Sequence, residues 1–446
     1  MAIDIDLPIE ERLLRLLNGL GLKKAHFAAR EFQEFDGLAR RHPELVASLT
    51  LVFPPRTLKI VALQPLSPRL LCFYGGKGPN AAIIKKSFEA LSDATQICFP
   101  NYLDVNWSDV AADHAEEIGS AMLDFLGRMD RMVELPPATL LRPEGEIAGI
   151  TYCATGSGPP LILLPLVLAP SQWEPLVSRL GQNYCTIVLG GVELGGVRQL
   201  EARGRTASYR RALKTFLAET EIKPGETVLE VGCGSGVLTR LLVECTQPAS
   251  PISAVDLNRY FLREAATLAK MQGCGNAIEF REGSAESLPF PDNCFDVTIS
   301  ATVMEEVNAD LMLTEMIRVT KPGGRVGVMV RAEDMMSFVN VPLRADLRTK
   351  VETPRGNVSE AGCADAALYR RFREAGLDSL RMFPQLVSFR FTEPHGKRLE
   401  AGILAALNEA EAEEWRAATQ KPGASDLLFI ARPFHCAIGR KPIGRQ

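Results

Sequence analysis

The stretch of sequence that decides the fold lies just past the middle of the 446-residue chain and reads Glu230-Val231-Gly232-Cys233-Gly234-Ser235-Gly236. An apolar run precedes the glycines, and an amphipathic stretch, Val237 to Glu244, follows them. Glycines between a strand and a helix permit a tight turn, and they let a ligand approach the backbone beside the N-terminus of the helix. We interpret this loop as a cofactor-binding turn, with a plain helix cap as the alternative.

The spacing of the glycines and the later residue Asp256 indicate which class of cofactor the loop binds. A dinucleotide-binding pattern, G-x-G-x-x-G, needs a glycine at position 237, where this chain has Val237. The spacing here is G-x-G-x-G, which disfavours NAD. The next strand candidate ends at Asp256, and a carboxylate at the end of that strand can accept hydrogen bonds from both hydroxyls of a ribose.

From residue 221 onward, short apolar runs alternate with amphipathic stretches. Strands that alternate with helices predict a mostly parallel sheet with both faces covered, which is a doubly wound α/β fold. The predicted strands are Thr227 to Val231, Ile252 to Asp256, Ala277 to Arg281, Phe295 to Ala301 and Arg325 to Val330. The predicted helices are Val237 to Glu244, Arg259 to Met271 and Ala309 to Val319.

Further short motifs come in order along the chain, namely Leu288-Pro289-Phe290, Phe295-Asp296 and Lys321-Pro322-Gly323-Gly324. Together with the glycine loop and Asp256, they resemble the class I S-adenosylmethionine-dependent methyltransferases. The likeness is strongest to the small-molecule branch similar to the ubiquinone and menaquinone biosynthesis methyltransferases, and it covers about residues 205 to 445. The resemblance implies a Rossmann-like, seven-stranded methyltransferase fold over residues 201–446 and S-adenosylmethionine as the cofactor.

The resemblance also implies which residues bind this cofactor. The candidates are Glu230, Gly232, Gly234 and Gly236 at its methionine portion, Asp256 at its ribose, and Leu257, Ser284, Ala285 and Glu286 at its adenine. Similar enzymes often have Asp where this chain has Ser284, so this adenine contact departs from the family pattern.

The chemistry derives from the cofactor, whose sulfonium makes its methyl group electrophilic without a metal, so no metal site is predicted. The protein mainly aligns the attacking atom with that methyl group. A hydroxyl acceptor would also need a general base, and the catalytic candidates are Glu305, Glu306 and His395. The alternatives are a solvated acidic pair and an ordinary loop histidine. Adjacent side chains on a helix diverge by about 100°, so at most one glutamate points inward.

In the first 200 residues strand and helix candidates again alternate, and parts of this region resemble the α/β-hydrolases. The strand candidate Ala25 to Ala28 leads to Ala29-Arg30-Glu31, where a hydrolase has its G-x-S-x-G nucleophile turn. This position has neither the serine nor the glycines. Where similar enzymes have their acid and their histidine, this chain has Lys77-Gly78-Pro79, without an acid, and Tyr102 to Trp107, without a histidine.

Residues 147–190 resemble the opening strands and first helix of the same fold, but they come after the closing half. The resemblance therefore implies a permuted, catalytically dead α/β-hydrolase-like domain over residues 1–200, with the proline-rich stretch 135–145 as a linker. The polar stretch 201–208 lacks apolar periodicity and predicts the boundary with the second domain. The first domain would either shape the acceptor pocket or provide a homodimer surface.

The composition, with 46% hydrophobic and 23% charged residues, is typical of a globular protein. A formal charge of -4 gives no reason to expect a nucleic-acid partner, and no apolar stretch is long enough to span a bilayer. The acidic start lacks the features of a secretion signal, which predicts a cytoplasmic protein. We expect a methyltransferase with a small, apolar or aromatic acceptor, methylated at oxygen, carbon or nitrogen. The alternative is a non-catalytic S-adenosylmethionine-binding interaction or sensor protein.

Overall fold

The computed structural model describes residues 7–30, 36–54, 60–77, 81–103, 109–140, 142–166, 168–191, 194–246, 250–354, 356, 358–419 and 427–443. The chain divides into two compact units, Met1–Arg198 and Gln199–Gln446. Each unit has its own sheet with helices, so the mixed α/β class is confirmed. Within the described ranges, no helix is both long and apolar enough to cross a membrane.

The first unit is built on an eight-stranded sheet. Its strands are β1 (Ala25–Ala29), β2 (Val46–Val52), β3 (Leu70–Lys77), β4 (Thr95–Leu103), β5 (Glu144–Ile147), β6 (Ile150–Thr155), β7 (Pro160–Leu163) and β8 (Cys185–Gly190). Their order in the sheet is β4-β3-β2-β1-β7-β8-β6-β5. Strand β6 is antiparallel to both of its neighbours, and the other pairs are parallel.

Helices cover this sheet on both faces, because alternate residues of the central strand enter different cores. Phe27 of β1 belongs to the same core as Leu16, and Ala28 belongs to the same core as Phe125 and Trp173. The helices are α1 (Ile9–Gly19), α2 (Asp36–Arg41), α3 (Ala81–Glu89), α4 (Val110–Asp113), α5 (Ala115–Met132) and α6 (Glu174–Leu180). Helix α7 (Gly195–Arg205) spans the boundary between the units.

The second unit has a doubly wound sheet. Its strands are β9 (Val228–Val231), β10 (Ile252–Asp256), β11 (Ile278–Glu282), β12 (Phe295–Ala301), β13 (Thr320–Arg331), β14 (Phe338–Val339), β15 (Asp378–Arg390) and β16 (Phe429–Arg440). The order is β11-β10-β9-β12-β13-β16, with β14 and β15 both paired to β16. The first five strands are parallel, and β16 is antiparallel to its three neighbours.

The helices of this unit connect and cover the strands. They are α8 (Ala207–Glu219), α9 (Val237–Thr246), α10 (Arg259–Met271), α11 (Ala309–Val319), α12 (Ala345–Glu352), α13 (Ala367–Glu374), α14 (Pro394–Ala405) and α15 (Glu409–Thr419). The carboxyl ends of the parallel strands meet at one edge of the sheet, and the chain reverses direction in the sheet order beside β9. This is where a doubly wound fold binds its ligand.

Two details differ from the sequence-based expectation. The sheet has the seven expected strands and, in addition, the two-residue strand β14. The polar stretch 201–208 is helical rather than irregular, since α7 ends at Arg205 and α8 begins at Ala207. One of its polar side chains, that of Glu201, forms a buried ion pair with Arg240.

Candidate cofactor and acceptor site

The glycine loop, residues 232–236, joins β9 to α9 at the carboxyl edge of the sheet. Gly232, Gly234 and Gly236 have φ angles of 74°, 54° and 80°, a region that favours glycine. The N–H of Gly232 donates to the carbonyl of Val255 in the neighbouring strand at 2.7 Å. A Cβ on Gly232 would lie 2.3 Å from Cγ2 of Val303. The close approach of the two turns therefore requires glycine at position 232.

The carboxylate of Asp256 lies beside this loop. One of its oxygens accepts the N–H of Gly234 at 2.7 Å, and the other accepts the N–H of Asn258 at 2.8 Å. Burial raises the pKa of Asp256, although both hydrogen bonds oppose the shift. The next side chain, Leu257, is 62% exposed. The carboxylate of Asp256 and the exposed apolar side chain of Leu257 therefore both lie beside the loop.

Glu230 lies in β9 beneath the loop and is buried. It accepts a hydrogen bond from the hydroxyl of Thr239 in α9. Burial raises the pKa of Glu230 to about 8, and the nearby charge of Asp256 contributes to the rise. A cationic ligand group next to Glu230 would stabilise its ionised form.

The turn after β11 contains the residues expected at the adenine. The N–H of Gly283 donates to the carbonyl of Asp256 at 3.0 Å, which ties this turn to the end of β10. The hydroxyl of Ser284 accepts the N–H of Glu286 at 3.1 Å, and the carboxylate of Glu286 accepts the N–H of Asn308 at 2.7 Å. Ala285 packs partly buried against the core. Glu286 thus connects the turn to the start of α11, a role that the sequence did not indicate.

A buried ion pair missed by the sequence analysis supports the glycine loop. Both carboxylate oxygens of Glu201 in α7 lie 2.8 Å from Nη2 of Arg240 in α9, and each side chain is 8% exposed. Arg240 also donates to the carbonyl of Ser235, and the hydroxyl of Ser235 donates to Glu201, each at 2.6 Å. Because Glu201 and Arg240 are 39 positions apart, no local spacing could reveal the pair.

The two glutamates after β12 lie in a turn rather than a helix, and they differ in exposure. Glu305 is fully buried, whereas the side chain of Glu306 is 42% exposed. Oε1 of Glu305 accepts the backbone N–H of Arg331 at 2.7 Å, and its Oε2 is buried without a hydrogen-bond partner. Burial raises the pKa of Glu305, while the charge of Arg331 opposes the rise. Only one of the two glutamates therefore points inward.

His395 lies in the first turn of α14, so its expected position in a loop is wrong. Pro394 begins that helix, where the missing N–H of proline costs no hydrogen bond. The His395 ring is 9% exposed and lies 4.6 Å from the ring of Phe389, centroid to centroid. Burial, helped by the charge of Arg203 and two other arginines, lowers the pKa of His395 to about 3. At neutral pH this imidazole is uncharged and a weak base.

These features fit an adenosyl cofactor. The glycine loop leaves room that a Cβ would fill, Asp256 offers carboxylate oxygens, and Leu257 offers an open apolar face. A cationic group of the ligand beside Glu230 would stabilise its ionised form. Across the described ranges, no three His, Cys, Asp or Glu side chains come close enough to hold a metal ion. The fold and this edge define a doubly wound, nucleoside-binding protein.

Comparison with known proteins gives the family. A family model described as a methyltransferase domain matches residues 228–324. The ubiquinone/menaquinone biosynthesis C-methyltransferase UbiE of Burkholderia cenocepacia is 32% identical over 190 residues, which are 40% of this chain and 70% of that protein. The protein of the same name from Burkholderia multivorans matches with the same identity and coverage. The chain belongs to the class I S-adenosylmethionine-dependent methyltransferases, and S-adenosylmethionine is its cofactor.

Solved structures give a weaker likeness. The crystal structure of the YcgJ protein from Bacillus subtilis matches 53% of this chain and all of its own, with 19% identity and a TM-score of 0.36. The family assignment rests on the similar sequences and not on this superposition.

Proposed function

We propose that this methyltransferase acts on a small acceptor with an apolar or aromatic body, at an oxygen, carbon or nitrogen atom. The similar Burkholderia proteins are named as C-methyltransferases of ubiquinone and menaquinone biosynthesis, which favours a small molecule. Past the carboxyl end of β13, the side chains of Met335, Met336 and Phe338 are 38%, 49% and 48% exposed. They would provide apolar surface for such an acceptor.

The cofactor supplies an electrophilic methyl group, and we assign its binding to the glycine loop and the ends of β9, β10 and β11. The loop would approach the methionine portion, and ionised Glu230 would face its positive charge. Asp256 would accept hydrogen bonds from the ribose hydroxyls, and Leu257, Ser284 and Ala285 would border the adenine. The carboxylate of Glu286 already accepts a hydrogen bond from Asn308, so it would contribute mainly by holding this turn in place.

The observation that carries the catalytic part of the proposal is the packing of the turn after β12 onto the glycine loop. Val303 occupies the space beside Gly232, and Glu305 comes two residues later in the same turn. Its free oxygen, Oε2, would take the proton from a hydroxyl acceptor as the new bond forms. His395 is a poor candidate for this step because its lowered pKa makes it a weak base.

The test is to incubate the protein with S-adenosylmethionine and a panel of small phenols and quinols, and to measure S-adenosylhomocysteine. We expect turnover with part of the panel. Glu305→Gln should lower kcat with hydroxyl acceptors and leave cofactor affinity within about threefold, while the exposed neighbour variant, Glu306→Gln, serves as the control. Cofactor binding without turnover on any acceptor would contradict the proposal and favour a sensor, which the similar sequences do not favour.

We further propose that the first unit is a permuted, inactive α/β-hydrolase-like domain. Counted from β5, the sheet order becomes 1-2-4-3-5-6-7-8 with an antiparallel second strand, which is the order typical of α/β-hydrolases. In this numbering β1 is the fifth strand, after which those enzymes have their nucleophile. In this chain β1 ends at Ala29 and Arg30 follows, whereas Glu31, residues 78–80 and residues 104–108 lie outside the described residues.

A fluorophosphonate probe and p-nitrophenyl acetate test this second proposal. We expect neither covalent labelling of a serine in residues 1–198 nor ester turnover above the rate of the buffer, because nucleophile and base are both required. Labelling of a serine in that range would contradict the inactive assignment.

A further inference from the structure

A cluster of aromatic rings fills one face of the second unit near the carboxyl edge of its sheet. The ring of Tyr209 lies 6.5 Å from that of Phe389 and 6.1 Å from that of Phe434, and Phe389 in turn contacts His395. Phe434 pairs in register with Arg331, the last residue of β13. The aromatic cluster, defined by Tyr209, Phe389, Phe434 and His395, therefore reaches the edge at which the glycine loop and the turn after β12 lie.

Two arginines border this aromatic cluster. The guanidinium of Arg203 lies 4.9 Å from the centroid of the Tyr209 ring, and its Nη2 donates to Thr302, directly after β12, at 3.2 Å. Arg432 precedes Phe434 by two residues in β16, so both side chains project from the same face of the sheet. Arg203 and Arg432 thus flank the cluster on the side of the candidate acceptor site.

The positive charge of these arginines is incompletely balanced. Nε of Arg203 is buried without a hydrogen-bond partner, and no carboxylate in the described part of the chain lies within 4 Å of this guanidinium. Among the residues that the structure describes, Arg432 has one ion pair, with Glu333 at 3.8 Å, a distance too long for a hydrogen bond. Burial lowers the pKa of Arg432, which reflects the free-energy cost of a buried cation that lacks close partners.

Two nearby carboxylates, Glu305 and Glu393 at the start of α14, each have one buried oxygen without a hydrogen-bond partner, and the other contacts of the carboxylates in this region are made elsewhere. Glu305 and Glu306 lie 3.3 and 3.5 Å from the guanidinium of Arg331, and Glu333 accepts the N–H of Gly356 at 2.7 Å. The Nδ1 atom of His395 is also buried without a partner. Cationic and neutral groups with unused hydrogen-bonding capacity therefore meet at one place, which is the arrangement expected where an anion binds.

We propose that Arg203 and Arg432, with His395 beside them, bind an anionic group, a carboxylate or a phosphate, carried by the acceptor substrate. This inference rests on the proposed function and names the acceptor more closely: a small molecule with an apolar or aromatic body and one acidic group. Each guanidinium can donate two parallel hydrogen bonds to a carboxylate or phosphate. The neutral imidazole can donate one more without adding positive charge, if its proton is on Nδ1.

Calorimetry on the full-length protein saturated with S-adenosylhomocysteine tests the proposal. The probes are 4-hydroxybenzoate, its neutral analogue 4-hydroxybenzamide, and phenyl phosphate, so that a carboxylate and a phosphate are separated from an uncharged group of similar size. We expect at least one anionic probe to bind about tenfold or more tightly than the amide. Arg432→Met and Arg203→Met should each remove most of that difference, whereas Arg210→Met, on the exposed side of α8, should keep it.

The outcomes separate this inference from the proposed function. With cofactor binding intact, three results would overturn the anion site. The acid and the amide could bind with equal affinity, or neither anionic probe could bind. The third result is that both arginine variants bind the anionic probe as tightly as the wild type does. If S-adenosylhomocysteine itself does not bind, the proposed function is overturned instead. A change in cofactor affinity of more than about threefold in Arg432→Met would show that Arg432 acts on the cofactor site, which also contradicts the proposal.

Discussion

The two units of this chain share an architecture but differ in the residues that come directly after the central strand of each sheet. Strands β1 and β9 are both buried along their whole length. Past β9, three glycines with positive φ open the backbone to a ligand. Strand β1 ends at Ala29 and is followed by the buried Arg30, and both of these residues carry a Cβ. A doubly wound sheet therefore becomes a nucleoside site only when the residues after its central strand permit close approach to the backbone.

Each unit has buried polar atoms without a partner, among them the hydroxyls of Thr50 and Ser67 in the first unit, but one network in the first unit contrasts with two atoms near the ligand edge of the second. In the first unit, the ring nitrogens of His26 lie 2.7 Å from the Ser48 hydroxyl and 3.0 Å from Asp130, and the Tyr184 hydroxyl donates to Asp130 at 2.6 Å. These four residues, the His26 network, satisfy one another. In the second unit, Oε2 of Glu305 and Nδ1 of His395 have no partner. Satisfied networks stabilise a fold, whereas unsatisfied groups near a ligand edge are available for binding.

We expect the greatest loss of cofactor affinity when a side chain blocks access to the backbone of the glycine loop. Gly232→Ala places a Cβ against Val303 at a φ of 74°, so we expect S-adenosylhomocysteine affinity to fall by a hundredfold or more. Gly225→Ala is the matched control, because Gly225 has a φ of 86° and no atom within 4 Å of its Cβ position. Calorimetry of both variants measures the difference. Equal losses would mean that backbone strain, and not the clash at the loop, weakens binding.

A smaller effect is expected from the ion pair that supports the loop. Glu201→Gln weakens the contacts with Arg240 and Ser235, and we expect about a tenfold loss of cofactor affinity, within the range of one charge-assisted hydrogen bond. Glu244→Gln removes an exposed ion pair with Arg210 and Lys214 and should change affinity by less than about twofold. Unchanged affinity in Glu201→Gln would show that the loop keeps its shape without the pair.

The buried acid beneath the loop predicts a pH effect. Burial raises the folded-state pKa of Glu230 from 4.5 to about 8, so the folded protein retains a proton that the unfolded chain releases within this range. This contribution to stability is full below about pH 4.5 and is lost as the pH rises toward 8. The free energy of unfolding of the cofactor-free protein, measured with urea, should therefore fall less between pH 5.5 and 8 in Glu230→Gln than in the wild type. If the unfolding free energies of the two proteins change equally with pH, Glu230 does not have a raised pKa in the folded protein.

The smallest effect on the cofactor site is expected from the first unit. His26→Gln leaves Ser48 and Asp130 with poorer partners and should destabilise that unit by about 1 to 3 kcal/mol. We expect cofactor affinity to stay within about twofold. His42→Gln, whose ring is exposed beside Glu44, should change neither quantity and serves as the control. A large loss of cofactor affinity in His26→Gln would show that the first unit contributes to the site.

Local sequence patterns predicted the parallel half of the second unit well. Helices α10 and α11 begin and end at the residues expected, because their apolar spacing and an Asn cap define them locally. The resemblance implied seven strands, but local patterns placed only five of them, and the residues of β15 and β16 were not predicted. Much of β15 is exposed, as its pattern of burial shows, and its paired residues in β16 lie between 39 (Arg390 and Phe429) and 62 (Asp378 and Arg440) positions further along the chain. Pairing at that distance leaves no local signal.

The site was predictable only where backbone geometry defines it. The glycine loop and Asp256 could be identified from residue type and position, whereas the pair Glu201 and Arg240 depends on the packing of α7 against α9. Two of the three arginines whose charge acts on His395, Arg203 and Arg432, also lie on elements remote from it in sequence. Burial raises the pKa of Glu305, and burial is a property of the folded chain that residue type does not give.

Binding of the cofactor by the glycine loop and Asp256 is tested by a calorimetric titration of the full-length protein with S-adenosylhomocysteine, in the wild type and in Asp256→Ala. We predict one site per chain in the wild type and a loss of about 1.5 to 3 kcal/mol in the variant, the worth of hydrogen bonds to a charged group. Asp292→Ala, at an exposed position, should bind as the wild type does. No heat with the wild type, or equal affinity in Asp256→Ala, would contradict the account.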